Sequence, residues 1–504
     1  MRETARIVRQ QSNTKDRCGH ERFADDSTEP TRARGMTILL ADATPGPAAP
    51  GAAAHFDRER RQARRAVLAA TIGTTIEWYD FYLYGLVAAL VFGKLYFPAF
   101  DPFAATLLSF STFFLGFIAR PLGAVVFGHF GDRIGRKRTL VATLLLMGVS
   151  TVLIGLVPTY DSIGIRGAVA LTALRLLQGF GVGGEWGGAV ATSTEWSRFA
   201  GRRGLAGSWP QFGSPLGMLL AVGVLTIVSR FGSPEWFERV GWRIPFLLSA
   251  VLIGVGIAIR IGLTETPVFS DLQARHKLSV APALEAIRHH GRAIVLTCLI
   301  RSGQTAPFFL FSTFLLSYGT SQLHLSRPFL FNAVLAASAV SLVTTPLFGY
   351  LSDRLGRRRF YIAGAAAMLA FAFPYYWLLN TASSGLVVVA VILSFVVHDM
   401  QYGPQAAFIA EAFPPNVRYT GSSLGYQLAS VTSAGPAPLV ATWLLHQFGT
   451  SFAISCYIAI AAAISLVAAL LMRDRAGEAY GVEAESNRDT DPVAPVDHVT
   501  VLAS

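Results

Sequence analysis

The sequence predicts an all-α polytopic membrane protein, with twelve transmembrane helices in two pseudo-symmetric six-helix halves. Three observations carry that prediction. Apolar residues make up 52% of the 504 and charged ones only 14%, against roughly 25% charged in soluble proteins. The charges crowd the ends: 22 fall in residues 1–65 and 10 in 473–504, leaving 41 for the 407 residues between. Finally, one loop pattern occurs twice, 221 residues apart, as expected of a chain built from two related halves.

The elements follow in chain order. Residues 1–65 read as a disordered, cytoplasmic N-terminal extension, with mixed charge in 1–35 and a linker rich in Pro, Gly and Ala at 44–54. Met36 offers a second possible start, and Ile38-Leu39-Leu40-Ala41 is too short for the core of a signal peptide. The basic run at 58–65 reads as a cytoplasmic anchor beside a membrane. Apolar segments long enough for a ~30 Å hydrocarbon layer recur at 66–92, 103–127, 139–158, 167–190, 205–229 and 243–262, which form the N-terminal half, 66–262. A central cytoplasmic loop, 263–292, follows. Segments resume at 293–317, 328–350, 360–379, 385–409, 420–445 and 450–472, giving the C-terminal half, 293–472, before a disordered cytoplasmic tail at 473–504.

Loop charge sets the orientation. Assigned alternately to the two sides, Lys and Arg divide 23 to 6. The side with 23 holds both termini, so both are expected in the cytoplasm. The net charge of +11 is therefore topogenic: its cations sit in short clusters between apolar runs, not in a compact basic domain, and no nucleic-acid partner is implied. Cys18, Cys298 and Cys456 are far apart and suggest neither a disulfide frame nor a metal site. Gly179-Phe-Gly181-Val-Gly183-Gly184 fits a dinucleotide fingerprint in letters only. No strand precedes it, and close helix packing explains it better. No cofactor is implied.

The repeated loop reads Gly128-His-Phe-Gly-Asp132-Arg133-Ile-Gly-Arg136-Lys-Arg138 after the second span and Gly349-Tyr-Leu-Ser-Asp353-Arg354-Leu-Gly-Arg357-Arg-Arg359 after the eighth. A weaker echo links Glu195…Arg203-Gly204 with Glu411…Arg418-Tyr-Thr-Gly421. Used twice at this spacing, the loop resembles that of the major facilitator superfamily. Glu77-Trp-Tyr-Asp80-Phe, Arg120-Pro-Leu-Gly, Arg175-Leu-Leu-Gln178-Gly179, Gly241-Trp-Arg243-Ile-Pro-Phe and Glu265-Thr-Pro-Val-Phe269 resemble its metabolite:proton symporter branch, which includes permeases for shikimate, α-ketoglutarate and osmolytes. The resemblance covers about 66–472. It implies the major facilitator fold, a bacterial plasma-membrane location, a monomer, and transport of a small solute together with protons. It also implies that Asp132, Arg133, Arg136, Asp353, Arg354 and Arg357 clamp the cytoplasmic ends of the halves, with Glu195 and Glu411 at the same level to pair with Arg136 and Arg357. Gln304 departs from the glutamate common in that branch, which puts proton coupling through the seventh span in question.

Seven ionisable residues are expected at membrane depth, where a charge costs at least ~2.5 kcal/mol: Glu77, Asp80, Glu185, Asp399, Arg120, Arg175 and Arg301. Glu77 and Asp80 are three apart and share a helix face. Two carboxylates that close suit a proton carrier, or else both are locked to Arg120 or Arg175. Arginine's fork suits a carboxylate ligand, so Arg120 and Arg301 are candidate substrate residues with Gln304, Tyr84 and Asp399, or else structural partners. Arg175 and Glu185 are expected to be structural. His398 either titrates or packs. Trp78, Tyr79, Tyr82, Trp209 and Tyr426 are aromatics that either line a cavity or fill the core. The expected function is a secondary transporter, not an enzyme, carrying a small polar metabolite, an organic acid by this reading, with protons. An uncoupled facilitator or exporter, and a polytopic membrane enzyme using Glu285 and Arg288-His289-His290, are the alternatives.

Overall fold

The computed structural model describes residues 52–196 and 202–474; Met36, most of the N-terminal extension, Arg198 and the tail from 475 onward lie outside them. Helices α1 (Ala52–Val87), α2 (Gly93–Tyr96), α3 (Pro102–Ile134), α4 (Arg136–Leu156), α5 (Tyr160–Ile163), α6 (Ile165–Trp196), α7 (Arg203–Arg230), α8 (Pro234–Trp236) and α9 (Arg243–Ile261) form the first half. A short connecting helix, α10 (Pro267–Ala274), precedes the second. That half comprises α11 (Pro282–Phe309), α12 (Leu315–Ser321), α13 (Arg327–Leu355), α14 (Arg357–Leu379), α15 (Ser384–Ala410), α16 (Arg418–Ala429), α17 (Ala437–Phe448) and α18 (Ser451–Leu471). Eleven helical stretches among the described residues are long and apolar enough to cross a membrane. The stretch from α1 to α2 is the twelfth span, its apolar run diluted by Glu77, Asp80 and hydroxyl-bearing aromatics. This is the all-α, twelve-span fold that the sequence predicts.

Two helix starts differ from expectation. α1 begins at Ala52, within the segment read as polar extension, because 52–65 hold good helix formers and neither Gly nor Pro. α11 begins at Pro282, within the predicted loop, where Pro occupies the first helical position that tolerates it, and a break at His290 marks the turn into the span.

The repeat is visible in the backbone. Gly135 (φ +115°) and Gly356 (φ +90°) end α3 and α13 in conformations that a side chain would resist, 221 residues apart. Short π-helical segments interrupt the first and seventh spans at Ala88–Phe92 and Leu310–Phe314, 222 residues apart. Such wide turns are inserted where a helix must re-aim its side chains. The halves meet along two seams, α3 against α16 and α7 against α13. Inside the first half, α6 packs on α3 through its glycines. A methyl at Gly179 would collide with the Gly116 carbonyl, and one at Gly183 with the Arg120 carbonyl. Helix–helix contact therefore accounts for this glycine run.

Candidate functional site

The central polar site is assembled from both halves. α1 supplies Glu77, α3 Arg120, α11 Arg301 and α16 Tyr426, all buried. The charges acting on Glu77 include Arg120, Glu185, Arg301 and Arg260. Arg301 donates to the Tyr426 carbonyl (3.1 Å) and Ser430 Oγ (2.9 Å), and its guanidinium lies 3.3 Å from the centre of the Tyr426 ring. The other face of Tyr426 stacks on Trp186 of the first half at 3.6 Å. Arg120 rests 5.0 Å from Phe81 and 4.6 Å from Phe117. Four polar atoms here lack hydrogen-bond partners among the described residues: Arg120 Nε, Arg301 Nε, Glu77 Oε2 and the Tyr426 hydroxyl. Buried polar groups are rarely left so, and two guanidiniums in one buried site can accept an anion.

Above this site, Phe81 and Phe117 meet Phe309 of the second half edge-on at 6.0 and 5.9 Å. Beyond them lies a cavity of ≈290 Å³. Phe81, Tyr82 and Met218 border it from one half, and Ser312, Thr313 and Arg327 from the other. Arg327 opens α13, so the cavity points to the membrane face opposite the repeated loops. The aromatic trio separates it from the arginines.

Asp80 does not share the surroundings of Glu77, despite the three-residue spacing. Its carboxylate accepts from Thr151 (2.8 Å) and Ser249 (2.8 Å), inside the first half. Thr151 Oγ1 in turn accepts from Gln178 Nε2 (2.6 Å), and Gln178 Oε1 from Arg175. Arg175 therefore reaches Asp80 through a relay and not by direct pairing. It lies 4.2 Å from the Tyr84 ring, and Tyr84 bonds Thr112 at 2.7 Å, so Tyr84 is grouped with Arg175 and not with Arg301 or Gln304. Glu185 pairs with Arg260 and also accepts from Thr143 (2.7 Å). Sequence reasoning overlooked Arg260. It lies one residue from the end of α9 and resembles a topogenic loop cation, yet it is 1% exposed.

In the second half, Asp399 accepts from Thr344 (2.5 Å) and meets His398 Nδ1 (2.9 Å). His398 Nε2 contacts the Gln304 amide, and Gln405 Nε2 donates to Gln304 (3.4 Å) and Tyr361 (3.1 Å). Gln304 and Asp399 thus belong to a histidine-centred chain, with no ion pair to Arg301.

The repeated loops form two matching ion clusters, whose membrane side is termed here the basic face. In the first, Asp132 accepts from the backbone N–H groups of Tyr419 (3.3 Å) and Thr420 (2.9 Å) and from the Thr420 hydroxyl (2.9 Å), at the start of α16. In the second, Asp353 accepts from Gly204 (2.8 Å) and Leu205 (2.9 Å), at the start of α7. Each aspartate therefore caps a helix N-terminus of the opposite half, where the helix dipole favours negative charge. Arg136 contacts Asp132 (3.2 Å) and Glu195 (3.4 Å), and Arg418 crosses to Glu195 (3.2 Å). In the matching set, Arg357 contacts Asp353 (3.3 Å) and Glu411 (2.7 Å), while Arg203 crosses to Glu411 (3.0 Å). Arg133 and Arg354 are exposed and stand outside both clusters; one residue along the helix from each aspartate turns them away. Trp209 lies on an outer groove, described below, and not on the central cavity.

Sequence reasoning treated Arg203 and Arg418 as topogenic only, although the echo around Glu195 and Glu411 already pointed to them. It also passed over the Glu265 carboxylate, which accepts from the Arg136 and Lys137 N–H groups (3.0 and 3.3 Å), and Thr266, which donates to Glu195 (2.6 Å).

Two six-helix halves around a buried polar site, joined by interlocking loops at one face, have the architecture of a multi-pass membrane transporter. Residues 70–436 match the sequence profile of the Major Facilitator Superfamily. The chain belongs to that superfamily. It is 39% identical over 82% of its length to a shikimate transporter of Escherichia coli, covering 95% of that protein. It is also 39% identical over 81% of its length to the inner membrane metabolite transport protein YhjE of Escherichia coli, covering 94% of it. A glycine betaine/proline/ectoine/pipecolic acid transporter of Dickeya dadantii is 33% identical, with 82% of this chain and 84% of that protein covered. Among solved structures, the proton:xylose symporter XylE bound to 6-bromo-6-deoxy-D-glucose superposes with a TM-score of 0.67 at 19% identity, covering 82% of this chain and 96% of that one. That likeness concerns the fold.

Proposed function

We propose that the chain carries a small carboxylate with a proton, by alternating access between the two halves. The observation that carries this reading is that buried Arg120 and Arg301, from opposite halves, both act electrostatically on Glu77 without an ion pair to it, and each has an unpartnered atom among the described residues. An incoming carboxylate pairs with the two guanidiniums and takes up their charge. Glu77, buried beside them without an ion pair of its own, is then held as the neutral acid, because an unpaired buried carboxylate is too costly. Solute anion and proton then travel together, and the net charge of the site is unchanged. The substrates in the names of the relatives (shikimate, proline, glycine betaine, ectoine and pipecolic acid) all bear a carboxylate, which supports this class of solute.

The excess of loop cations favours a cytoplasmic basic face, with both termini there and the protein in a bacterial inner membrane. The two ion clusters then act as a cytoplasmic gate. They are closed here, and the ≈290 Å³ cavity faces outward. Substrate-dependent alkalinisation around energy-depleted cells expressing the protein, screened over a panel of carboxylates, tests the reading. Proton uptake with at least one acid supports symport. Solute uptake without proton movement would make the protein an uncoupled facilitator.

A further inference from the structure

A cavity larger than the central one lies apart from it. It is a groove of ≈1130 Å³ on the outer surface of the first half, between α1, α7 and α9. Its walls are overwhelmingly hydrocarbon, among them Leu68, Ile72, Leu216, Leu220 and Leu252. No carboxylate lines it among the described residues. Its end at the basic face is different. Arg64 reaches it from α1 and Arg202 from the start of α7, both exposed and neither with a carboxylate partner among the described residues. The last residue of α6, Trp196, is 7% exposed, lines the groove, and its indole Nε1–H has no hydrogen-bond partner.

Three donors from three helices, two of them permanently cationic, thus crown a long apolar trough. We propose that the groove binds one anionic phospholipid, its phosphodiester held by Arg64, Arg202 and Trp196 and an acyl chain laid along α1, α7 and α9. The apolar trough, continuous with the cationic end, selects a lipid over a free anion. The two unpaired guanidiniums select an anionic headgroup over a zwitterionic one, whose ammonium they would repel. Each arginine near a membrane surface changes such a preference about fivefold. All the elements belong to one half, so the site persists whichever way the transporter faces.

Native mass spectrometry of the purified full chain tests the proposal, with phosphatidylglycerol and phosphatidylethanolamine of identical chains in competition. The wild type should retain phosphatidylglycerol preferentially. The R64Q/R202Q double variant should lose about tenfold or more of that preference, while R275Q, at an exposed arginine just past the connecting helix, keeps it. Quenching by a phosphatidylglycerol brominated on its acyl chain gives a second readout that needs no arginine variant. Replacing Trp209, which lines the trough, by Phe should remove more quenchable emission than replacing the exposed Trp443. Equal lipid preference in the double variant and the wild type would overturn the proposal, as would displacement of the lipid by millimolar inorganic phosphate, or equal quenching loss at both tryptophans.

Discussion

Glu77 and Asp80 stand three residues apart on one helix, yet the fold assigns them different neighbours. Glu77 lies within electrostatic reach of arginines of both halves, whereas Asp80 is held by hydroxyls of the first half alone. Only the former can sense a ligand that bridges the halves. Glu185 illustrates the opposite case, a carboxylate fully matched by Arg260 and Thr143. Removing one partner of a buried pair costs about 3–5 kcal/mol, so Arg260→Gln should lower the thermal unfolding temperature in detergent sharply. Arg260→Gln combined with Glu185→Gln should recover much of the loss. The seven ionisable side chains at membrane depth were legible in the sequence because hydrocarbon makes any charge conspicuous. Their partners were not. Helical spacing gives the shared face of Glu77 and Asp80, but which helix packs there is a tertiary fact. Arg260 was hidden because a cation near a span end has an ordinary topological explanation.

At the scale of elements, the repeated loop works by placing an acid against the end of a helix. Asp132 and Asp353 are each the last acidic residue of a long helix, and a positive-φ glycine three residues on turns the chain into the next helix. That geometry delivers each carboxylate to the first N–H groups of α16 or α7 across the seam. Loss of these charge-assisted bonds should weaken closure by about 2 kcal/mol, roughly a thirtyfold change in the ratio of closed to open. Asp132→Ala and Asp353→Ala should each lengthen the distance between spin labels at positions 133 and 354, measured by electron resonance in nanodiscs. An unchanged distance distribution would confine the aspartates to holding their own loops. The repeated sequence announced these loops and their symmetry. It could not announce the helix N-termini that receive them, because those belong to the other half.

For the whole molecule, burial of Glu411 is expected to couple closure of the basic face to pH. Burial pushes its carboxyl up to about 7, against the pull of Arg357, Arg203 and Arg418. Its contacts to Arg357 and Arg203 are close but not aligned as hydrogen bonds, so desolvation outweighs pairing. An acid that binds its proton more tightly when the seam is closed favours closure as pH falls. The effect grows from about pH 7 down to the ordinary glutamate value of 4.5 and is absent above that window. Acidifying a spin-labelled sample from pH 7.5 to 5.5 should therefore enrich the closed population, and Glu411→Gln should flatten that response. Low pH on the basic face would then hold it closed, while a more alkaline solution there would release it.

In the proposed mechanism the solute carboxylate pairs with Arg120 and Arg301 while neighbouring Glu77 carries the proton. Proteoliposomes given an inward proton gradient test it most directly, with uphill accumulation of a transported acid measured alongside its solute-for-solute exchange. The wild type should do both. Glu77→Gln should keep exchange and lose accumulation. Accumulation that survives intact in Glu77→Gln would contradict the claim.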